Sequence, residues 1–383
     1  MTPTLPDLKQ RLQQLLATAS VSSADPRWNM SNRPVIDLLA GWFEQLGFRC
    51  RIQPLADGKA NLIACYGSGS SGLVLSGHTD TVPFDEARWR FDPLSLNEAD
   101  NRFYGLGSAD MKSFFALIIE AVLPLLEQDF QHPLIVLATA DEESSMNGAR
   151  ALSEADFSQP RAAIIGEPTG LKPVHMHKGI MMQRLLVTGQ SGHSSNPALG
   201  RNALDAMHDM LGVLKQLRSD WQQRYQNPGF AVSYPTMNFG CIHGGDNPNR
   251  ICNSCELHFD VRALPGMSSD NISQVILEQL APVAAQHQVA LQFEPLFAPV
   301  EAFAESPDSE LVRLAGQLSG HVPEAVAFAT EAPFLQQLGM PTIVMGPGHI
   351  DQAHQPDEYI AFDQIKPAVT LLRQFIRHYC LNP

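Results

Sequence analysis

An apolar run passes without interruption into a polar loop in the stretch Leu73-Val74-Leu75-Ser76-Gly77-His78-Thr79-Asp80-Thr81. The first four residues predict a short strand, and the polar residues follow at its carboxyl end. Two further apolar runs, Leu134 to Thr139 and Ala162 to Gly166, are typical of strands buried on both faces. Asp141-Glu142-Glu143 and Glu167 follow these runs. Polar residues therefore collect at the carboxyl ends of all three predicted strands, where ligand sites form in open α/β sheets.

Helical patterns alternate with these strands on both sides of the stretch. Apolar residues recur at helical spacing near residues 5–16, 35–46 and 114–126. A further strand is predicted at Thr342 to Met345, followed by a C-terminal helix that Pro367 opens. Strands that alternate with helices predict an α/β fold for this part of the chain.

The pattern changes between residues 180 and 294. The predicted order there is strand, helix, strand, strand, helix, strand, which matches a split βαβ, ferredoxin-like α+β unit. The predicted elements lie near residues 181–189, 203–214, 236–243, 255–262, 272–283 and 289–293. We therefore expect two domains: residues 1–179 and 295–383 form the α/β domain, and residues 180–294 form a smaller domain inserted into it.

Composition argues against several classes of protein. The 383 residues carry a net charge of −14, which argues against binding to nucleic acid or to an anionic membrane surface. The apolar runs are far shorter than the roughly 20 residues that a membrane-spanning helix needs. The sequence shows no signal-peptide pattern, so we expect a cytoplasmic protein with reduced thiols. The single C-x-x-C, Cys252 and Cys255, favours buried thiols over a zinc clamp, which would need a second such pair.

The residue types at the strand ends suggest a metal site. The candidates are two histidines and four carboxylates from five loops: His78, Asp110, Glu142, Glu143, Glu167 and His354. Neutral imidazole and carboxylate ligands suit Zn²⁺ or Co²⁺. Because these are more ligands than one tetrahedral ion needs, they favour two ions that share a bridging carboxylate. Such a pair lowers the pKa of a water, and a further carboxylate outside the ligand set is needed to carry the proton.

Each motif taken alone has a simpler explanation. His78 and Asp80 could form a structural hydrogen bond, and Asp110 could cap the helix that follows it. Glu142-Glu143 could be a solvated charge pair, and His354 alone could be a packed or surface histidine. Their joint occurrence at five loops of one predicted sheet favours the metal site.

At these positions the sequence resembles the di-zinc aminoacylase and carboxypeptidase family. The resemblance extends over essentially the whole chain and is carried by the segments Ser76–Pro83, Gly105–Lys112, Ala140–Glu143, Ile165–Thr169 and Gly192–Ser195. It implies a zinc-peptidase-like α/β catalytic domain with an inserted ferredoxin-like α+β domain that acts as dimerisation domain and lid. A homodimer that forms through the insert is therefore expected.

The resemblance also implies a role for each candidate residue. The implied ligands of one ion are His78, Asp110 and Glu167, and those of the other are Asp110, Glu143 and His354. Two Zn²⁺ or Co²⁺ ions per subunit are the implied cofactors. Glu142 resembles the general acid/base, and Asp80 resembles the carboxylate that orients His78. The peptide bond after Asp110 is cis in the family.

The insert contributes three further implied residues. His193 would reach the partner subunit's active site and stabilise the developing oxyanion, although a turn histidine is the simpler interpretation. Asn249 and Arg262 resemble residues that bind the substrate carboxylate. Arg262 could instead form an ion pair with Asp260.

Within the family, the stretches Thr330–Phe334 and Ala353–Tyr359 most resemble the branch that removes the acetyl group from N2-acetyl-L-ornithine in arginine biosynthesis. The substrate is then a small acetylated amino acid, and Glu331 is the candidate partner of its side-chain ammonium. The alternatives are a sister N-acyl-amino-acid amidohydrolase, a desuccinylase, and a ligand-binding homologue without catalysis. A desuccinylase would need a cationic contact for its second carboxylate, and a non-catalytic homologue would be expected to lack one of the candidate residues.

Overall fold

The computed structural model describes residues 5–382, which divide into two compact units. The first unit contains the residues up to His175, Glu305–Glu324 and the residues from Glu331 onward, and the second contains Met176–Ala304 and Ala325–Thr330. The predicted division at residues 179 and 294 into a catalytic and a dimerisation domain stays a prediction, because a single chain does not test what each unit does.

Strands and helices alternate through most of the described chain. Up to residue 177 they are α1 (Leu8–Ala17), α2 (Arg33–Gln45), β1 (Arg49–Pro54), β2 (Ala60–Tyr66), β3 (Leu73–His78), β4 (Asn97–Ala99), β5 (Arg102–Tyr104), α3 (Ser113–Val122), β6 (Leu134–Thr139), α4 (Asn147–Arg150), β7 (Ala162–Pro168) and β8 (Val174–His177). Between residues 181 and 304 they are β9 (Met181–Thr188), α5 (Ala203–Arg224), β10 (Thr236–Gly244), β11 (Ser254–Arg262), α6 (Ser269–His287), β12 (Ala290–Pro295) and β13 (Phe303–Ala304). After residue 309 they are α7 (Glu310–Ser319), β14 (Glu324–Val326), α8 (Ala332–Gln337), β15 (Thr342–Gly346), β16 (Tyr359–Ala361) and α9 (Phe362–Ile376).

A mixed sheet forms the centre of the first unit, with the order β1-β2-β6-β3-β7-β15-β8. β3 pairs in parallel with both β6 and β7, and β15 pairs in parallel with β7, so the carboxyl ends of these four strands lie at one edge. Every residue of β3, β6 and β7 is buried, as their continuous apolar sequence requires. Helix α3 packs on β3 and has nine of its ten residues buried, so it forms the centre of the core. The predicted α/β class is confirmed.

The second unit contains a four-stranded antiparallel sheet, with the order β10-β11-β9-β12. Helices α5 and α6 pack against this sheet and against each other. Buried residues such as Leu185 and Val187 alternate along β9 with more exposed ones, as expected for a sheet with one buried face. The order of elements confirms the predicted ferredoxin-like unit.

Some predicted boundaries differ from the structure. Helix α5 continues to Arg224 instead of ending near Leu214, because Leu217 and Trp221 extend its buried stripe. Helix α9 begins directly after β16, so Pro367 lies inside the helix and does not open it. The three-residue strands β16, β5 and β4 form a separate sheet, which the sequence pattern does not reveal because such short strands carry no periodicity.

Within residues 5–382, no helix has the length and apolar character that crossing a membrane would require. All six cysteines are free, and Cys252 and Cys255 are buried, as the sequence analysis favours. No cysteine belongs to a group of potential metal ligands among the described residues.

Candidate metal centre

The candidate ligands lie at the carboxyl edge of the first unit's sheet, some on strand ends and some in the loops beyond them. His78 ends β3, residues 142–143 lie in the turn after β6, and Glu167 lies near the end of β7. Asp110 precedes α3, and His354 lies between β15 and β16. The sheet topology therefore brings together residues that are far apart in the sequence.

His78, Asp110 and Glu167 form a first group whose ligand atoms all lie within 4.8 Å of one another. His78 Nε2 is 3.0 Å from Asp110 Oδ1 and 3.8 Å from Glu167 Oε1. All three side chains are buried, and Glu167 Oε1 has no hydrogen-bond partner among the described residues. A buried carboxylate oxygen without a partner is costly, and a cation bound here would offset that cost.

Asp110, Glu143 and His354 form a second group within the same limit. His354 Nε2 is 2.8 Å from Glu143 Oε2 and 3.6 Å from Asp110 Oδ2. Asp110 therefore directs Oδ1 toward the first group and Oδ2 toward the second, as a bridging carboxylate would. The His354 side chain is 55% exposed, so it is the least enclosed of the five candidate ligands.

The backbone carbonyl of Asp80 orients His78. It accepts a hydrogen bond from His78 Nδ1 at 3.0 Å, which leaves the lone pair of Nε2 free for a metal. The Asp80 carboxylate lies 3.7 Å from Nδ1 and accepts the N–H groups of Glu142 (3.2 Å) and Glu143 (3.1 Å). In this structure the Asp80 carbonyl thus holds the histidine, and the carboxylate holds the turn with the two glutamates. The implied role of the Asp80 carboxylate in orienting His78 stays a prediction.

A buried ion pair supports the same turn. Asp141, which has a left-handed backbone conformation (φ 64°), pairs with Lys59 and accepts a hydrogen bond from Ser22 Oγ at 2.8 Å. Its carbonyl accepts the N–H groups of residues 144–146, which closes the turn. Lys59 is not recognisable from the sequence, because nothing in its local sequence distinguishes it from a surface lysine.

Glu142 lies beside both groups. Its carboxylate lies within 4.8 Å of the ligand atoms of His78 and Glu143, which belong to different groups. Burial raises the pKa of Glu142 well above its usual value, and the charge of Glu167 adds to this shift. Burial also raises the pKa of Glu167, with the charge of Asp110 as the next cause. Because so many buried carboxylates repel one another, and because the group offers both nitrogen and oxygen donors, the residues fit two divalent cations.

Glu331 immediately precedes α8 and is 1% exposed. Its Oε2 accepts a hydrogen bond from Thr139 Oγ1 at 2.9 Å, whereas Oε1 has no partner among the described residues. Burial raises the pKa of Glu331 to about 7. Its charge contributes to the raised pKa values of Glu142 and Glu167, so Glu331 lies close to the candidate metal centre.

The other predicted site residues lie in the second unit. His193 is exposed, and its Nδ1 accepts the N–H of Ser195 at 3.2 Å, so the neutral ring presents Nε2–H as a donor. The carbonyl of Asn249 accepts a hydrogen bond from the His193 loop, which places these two residues side by side. Arg262 Nε donates to Asp260 Oδ2 at 3.0 Å. The alternative ion pair of Arg262 is therefore present in this structure.

Glu358, in the stretch after His354, carries no signal in the sequence that predicts its role. Glu358 is 2% exposed. Burial raises its pKa to about 8, and hydrogen bonds from three backbone N–H groups favour its ionised form. These hydrogen bonds come from the loop that leads to Asp110, where the peptide bond between Asp110 and Met111 is cis, as the resemblance implies.

Relatives of known name match the chain over nearly its full length. The model of peptidase family M20/M25/M40 matches residues 74–378. An acetylornithine deacetylase from Edwardsiella ictaluri is 50% identical over 382 residues, which cover 99% of this chain and 100% of that protein. An acetylornithine deacetylase from Aliivibrio salmonicida is 48% identical over 376 residues, which cover 98% of this chain and 99% of that protein.

Solved structures share the fold at low sequence identity. Aminopeptidase PepT from Bacillus cereus ATCC 10987 matches with a TM-score of 0.75 at 18% identity, over 97% of this chain and 98% of that chain. The YXEP protein from Bacillus subtilis, described as a dinuclear metal binding peptidase, matches with a TM-score of 0.69 at 13% identity, over 96% of both chains. The family model matches most of the chain, and the relatives named above are about half identical to the chain. The chain therefore belongs to peptidase family M20/M25/M40.

Proposed function

We propose that this chain removes the acetyl group from N2-acetyl-L-ornithine, giving L-ornithine and acetate. One observation carries the proposal. The six candidate residues converge at one sheet edge, in a chain that is 50% identical over 99% of its length to a protein named acetylornithine deacetylase. The reaction is the hydrolysis of an amide bond in a small molecule, within the biosynthesis of arginine.

Two divalent cations, which we propose are Zn²⁺ or Co²⁺, would be held by the two groups that share Asp110. When bound, such cations polarise the substrate carbonyl and lower the pKa of a water toward neutrality. His78 and Glu167 of the first group lie on buried strands, which hold them in place. Glu143 and His354 of the second group lie in loops, where His354 faces solvent.

Glu142 is proposed as the general acid/base. It takes a proton from the water that attacks the acetyl carbon, and it then donates that proton to the departing α-amine as the C–N bond breaks. Its position suits this exchange, because its carboxylate lies within 4.8 Å of ligand atoms of both groups. Asp80 holds the backbone of Glu142 and so fixes where its carboxylate lies.

A homodimer that forms through the second unit would complete the site, and we place it in the cytoplasm. Strand β10 is an edge strand of the second unit's sheet, and most of its residues from Asn238 onward are exposed, which leaves backbone groups available for pairing. The Nε2–H of the exposed His193 is suited to stabilise a developing oxyanion. Asn249 and Arg262 are proposed to bind the substrate carboxylate, for which Arg262 would exchange its present partner Asp260.

The experiment that tests the proposed function follows ornithine release from N2-acetyl-L-ornithine. Protein stripped by a chelator is expected to be inactive, and activity is expected to return when Zn²⁺ or Co²⁺ is added. N-succinyl-diaminopimelate serves as the matched substrate for the sister activity. If the protein binds two ions and cleaves only the succinyl substrate, the metal centre stands and the substrate assignment is wrong.

Glu331→Gln tests the contact with the side-chain ammonium of the substrate. Loss of a charge-assisted hydrogen bond costs about 1.5–3 kcal/mol, so kcat/KM for acetylornithine is expected to fall about 10–100-fold. N-acetyl-norleucine, which carries a methyl group in place of the ammonium, is the matched control. The variant's kcat/KM for this substrate is expected to fall far less. Equal losses on both substrates would contradict this role and leave Glu331 as a structural carboxylate.

A further inference from the structure

The carboxylate of Glu358 lies against the backbone of the loop that ends at Asp110. Its Oε1 accepts the N–H groups of Ala109 at 2.7 Å and Asp110 at 2.9 Å, and its Oε2 accepts the N–H of Gly107 at 3.1 Å. The carbonyl of Glu358 also accepts the N–H of Gly105 at 3.0 Å. Glu358 therefore accepts hydrogen bonds from four N–H groups of the six-residue loop 105–110.

The loop is shaped to receive an anion. Gly107 has φ 84°, and a Cβ at this position would lie 2.7 Å from Lys112 Cε, so the loop requires glycine. Backbone N–H groups that converge in this way form a concave site for a negative charge. Here the anion is a side chain of the protein itself.

Glu358 also fixes the far end of the loop that contains His354. It lies four residues after His354 and directly before β16, whose Tyr359 pairs with Tyr104 of β5. The His354 loop is thus attached through Glu358 to the backbone of Asp110. His78 and Glu167, by contrast, are held by the parallel strands β3 and β7.

We propose that Glu358 is a positioning residue for the second ion, because it sets the distance between Asp110 and His354. This inference rests on the ligand assignment under the proposed function. The binding of the first ion depends less on Glu358. Only one of the three proposed ligands of that ion, Asp110, belongs to the loop that Glu358 holds. The expected consequence is an unequal loss of metal affinity between the two sites.

Glu358→Gln keeps the volume of the side chain but removes one acceptor. Both oxygens of Glu358 accept hydrogen bonds, whereas glutamine offers one oxygen and one NH₂ group. The NH₂ group would face backbone N–H groups in a buried position, which is unfavourable. The Asp110 loop is therefore expected to shift away from His354.

The test is a titration of the metal-free protein with Co²⁺, followed by visible absorption and by equilibrium dialysis. The wild type is expected to bind two ions. In Glu358→Gln the affinity for the second ion is expected to fall about 10–100-fold, the range for residues that orient metal ligands, while the affinity for the first ion falls by a smaller factor. Glu305→Gln is the matched control, because Glu305, although only partly buried, is also a carboxylate of the first unit that accepts backbone N–H groups, from Ser306 and Thr342.

The possible outcomes separate the inference from the proposed function. If the wild type binds two ions and Glu358→Gln has unchanged affinity for both, or an equal loss of affinity for both, the inference is wrong. If the wild type itself does not bind two ions, the ligand assignment fails instead. Circular dichroism of the metal-free variants controls for folding. If Glu358→Gln does not fold, Glu358→Asp, which keeps the charge on a shorter side chain, must show the same unequal loss for the inference to stand.

Discussion

Replacing Glu142 by glutamine is expected to lower kcat for acetylornithine by about 10²–10⁴-fold, the usual contribution of a general acid/base. Glutamine keeps the shape of the side chain but cannot take a proton from water or give one to the departing amine. Glu142 belongs to neither of the two groups that share Asp110, so the variant is expected to retain two ions. Steady-state ornithine release and metal analysis of the same sample measure both quantities.

Glu143→Gln is the matched comparison, since it makes the same change one residue further along the turn. It is expected to lose the second ion and to recover part of its activity when excess metal is added, because Glu143 contacts His354 in the second group. Glu142→Gln is expected to stay inactive at any metal concentration. Near-normal activity in Glu142→Gln with two ions bound would show that another group moves the proton.

Asp110→Asn is expected to weaken the binding of both ions, because Oδ1 faces one group of ligands and Oδ2 faces the other. Asparagine keeps one oxygen and replaces the second by an NH₂ group, which cannot bind a cation. We expect the affinity for each ion to fall by more than about 100-fold, the upper end of the range for residues that only support ligands, and activity to be lost. Metal content after dialysis and Co²⁺ absorption spectra measure the two affinities.

Two further variants serve as comparisons for this result. His354→Ala is expected to lose the second ion alone, because His354 belongs only to the second group. Asp209→Asn, in the second unit, changes an exposed aspartate that accepts a hydrogen bond from His287 at 2.7 Å, and it is expected to retain both ions. If Asp110→Asn retained one ion at wild-type affinity, Asp110 would not bridge the two sites.

The edge of the sheet that carries the candidate site is predictable from the sequence. β3, β6 and β7 are continuous apolar runs that pass directly into histidine or carboxylate residues. Strands buried on both faces belong to parallel sheets, and parallel strands share a carboxyl edge. This reasoning alone brings His78, Glu142-Glu143 and Glu167 together, whereas the role of each residue came from the family resemblance.

Other features depend on contacts between distant segments, which residue types do not encode. Lys59 becomes notable only once the fold places it beside Asp141. The carboxylate of Glu358 is visible in the sequence, but the backbone N–H groups that it accepts are not. The hydrogen bond from His78 to the backbone carbonyl of Asp80 likewise depends on the backbone geometry of the folded chain. Such details appear only when the chain is folded.

The wide spacing of the candidate ligands along the chain, from His78 to His354, also bears on how the protein folds. Contacts between residues so far apart in sequence form slowly, because the chain entropy of closing long loops is lost before the contact stabilises anything. In a zinc finger the ligands lie close together and the metal drives folding, but here the parallel strands must pair before the ligands meet. A metal centre at these residues would thus form as a result of folding and would not drive it, and bound metal would prolong the lifetime of the native state more than it would hasten its formation.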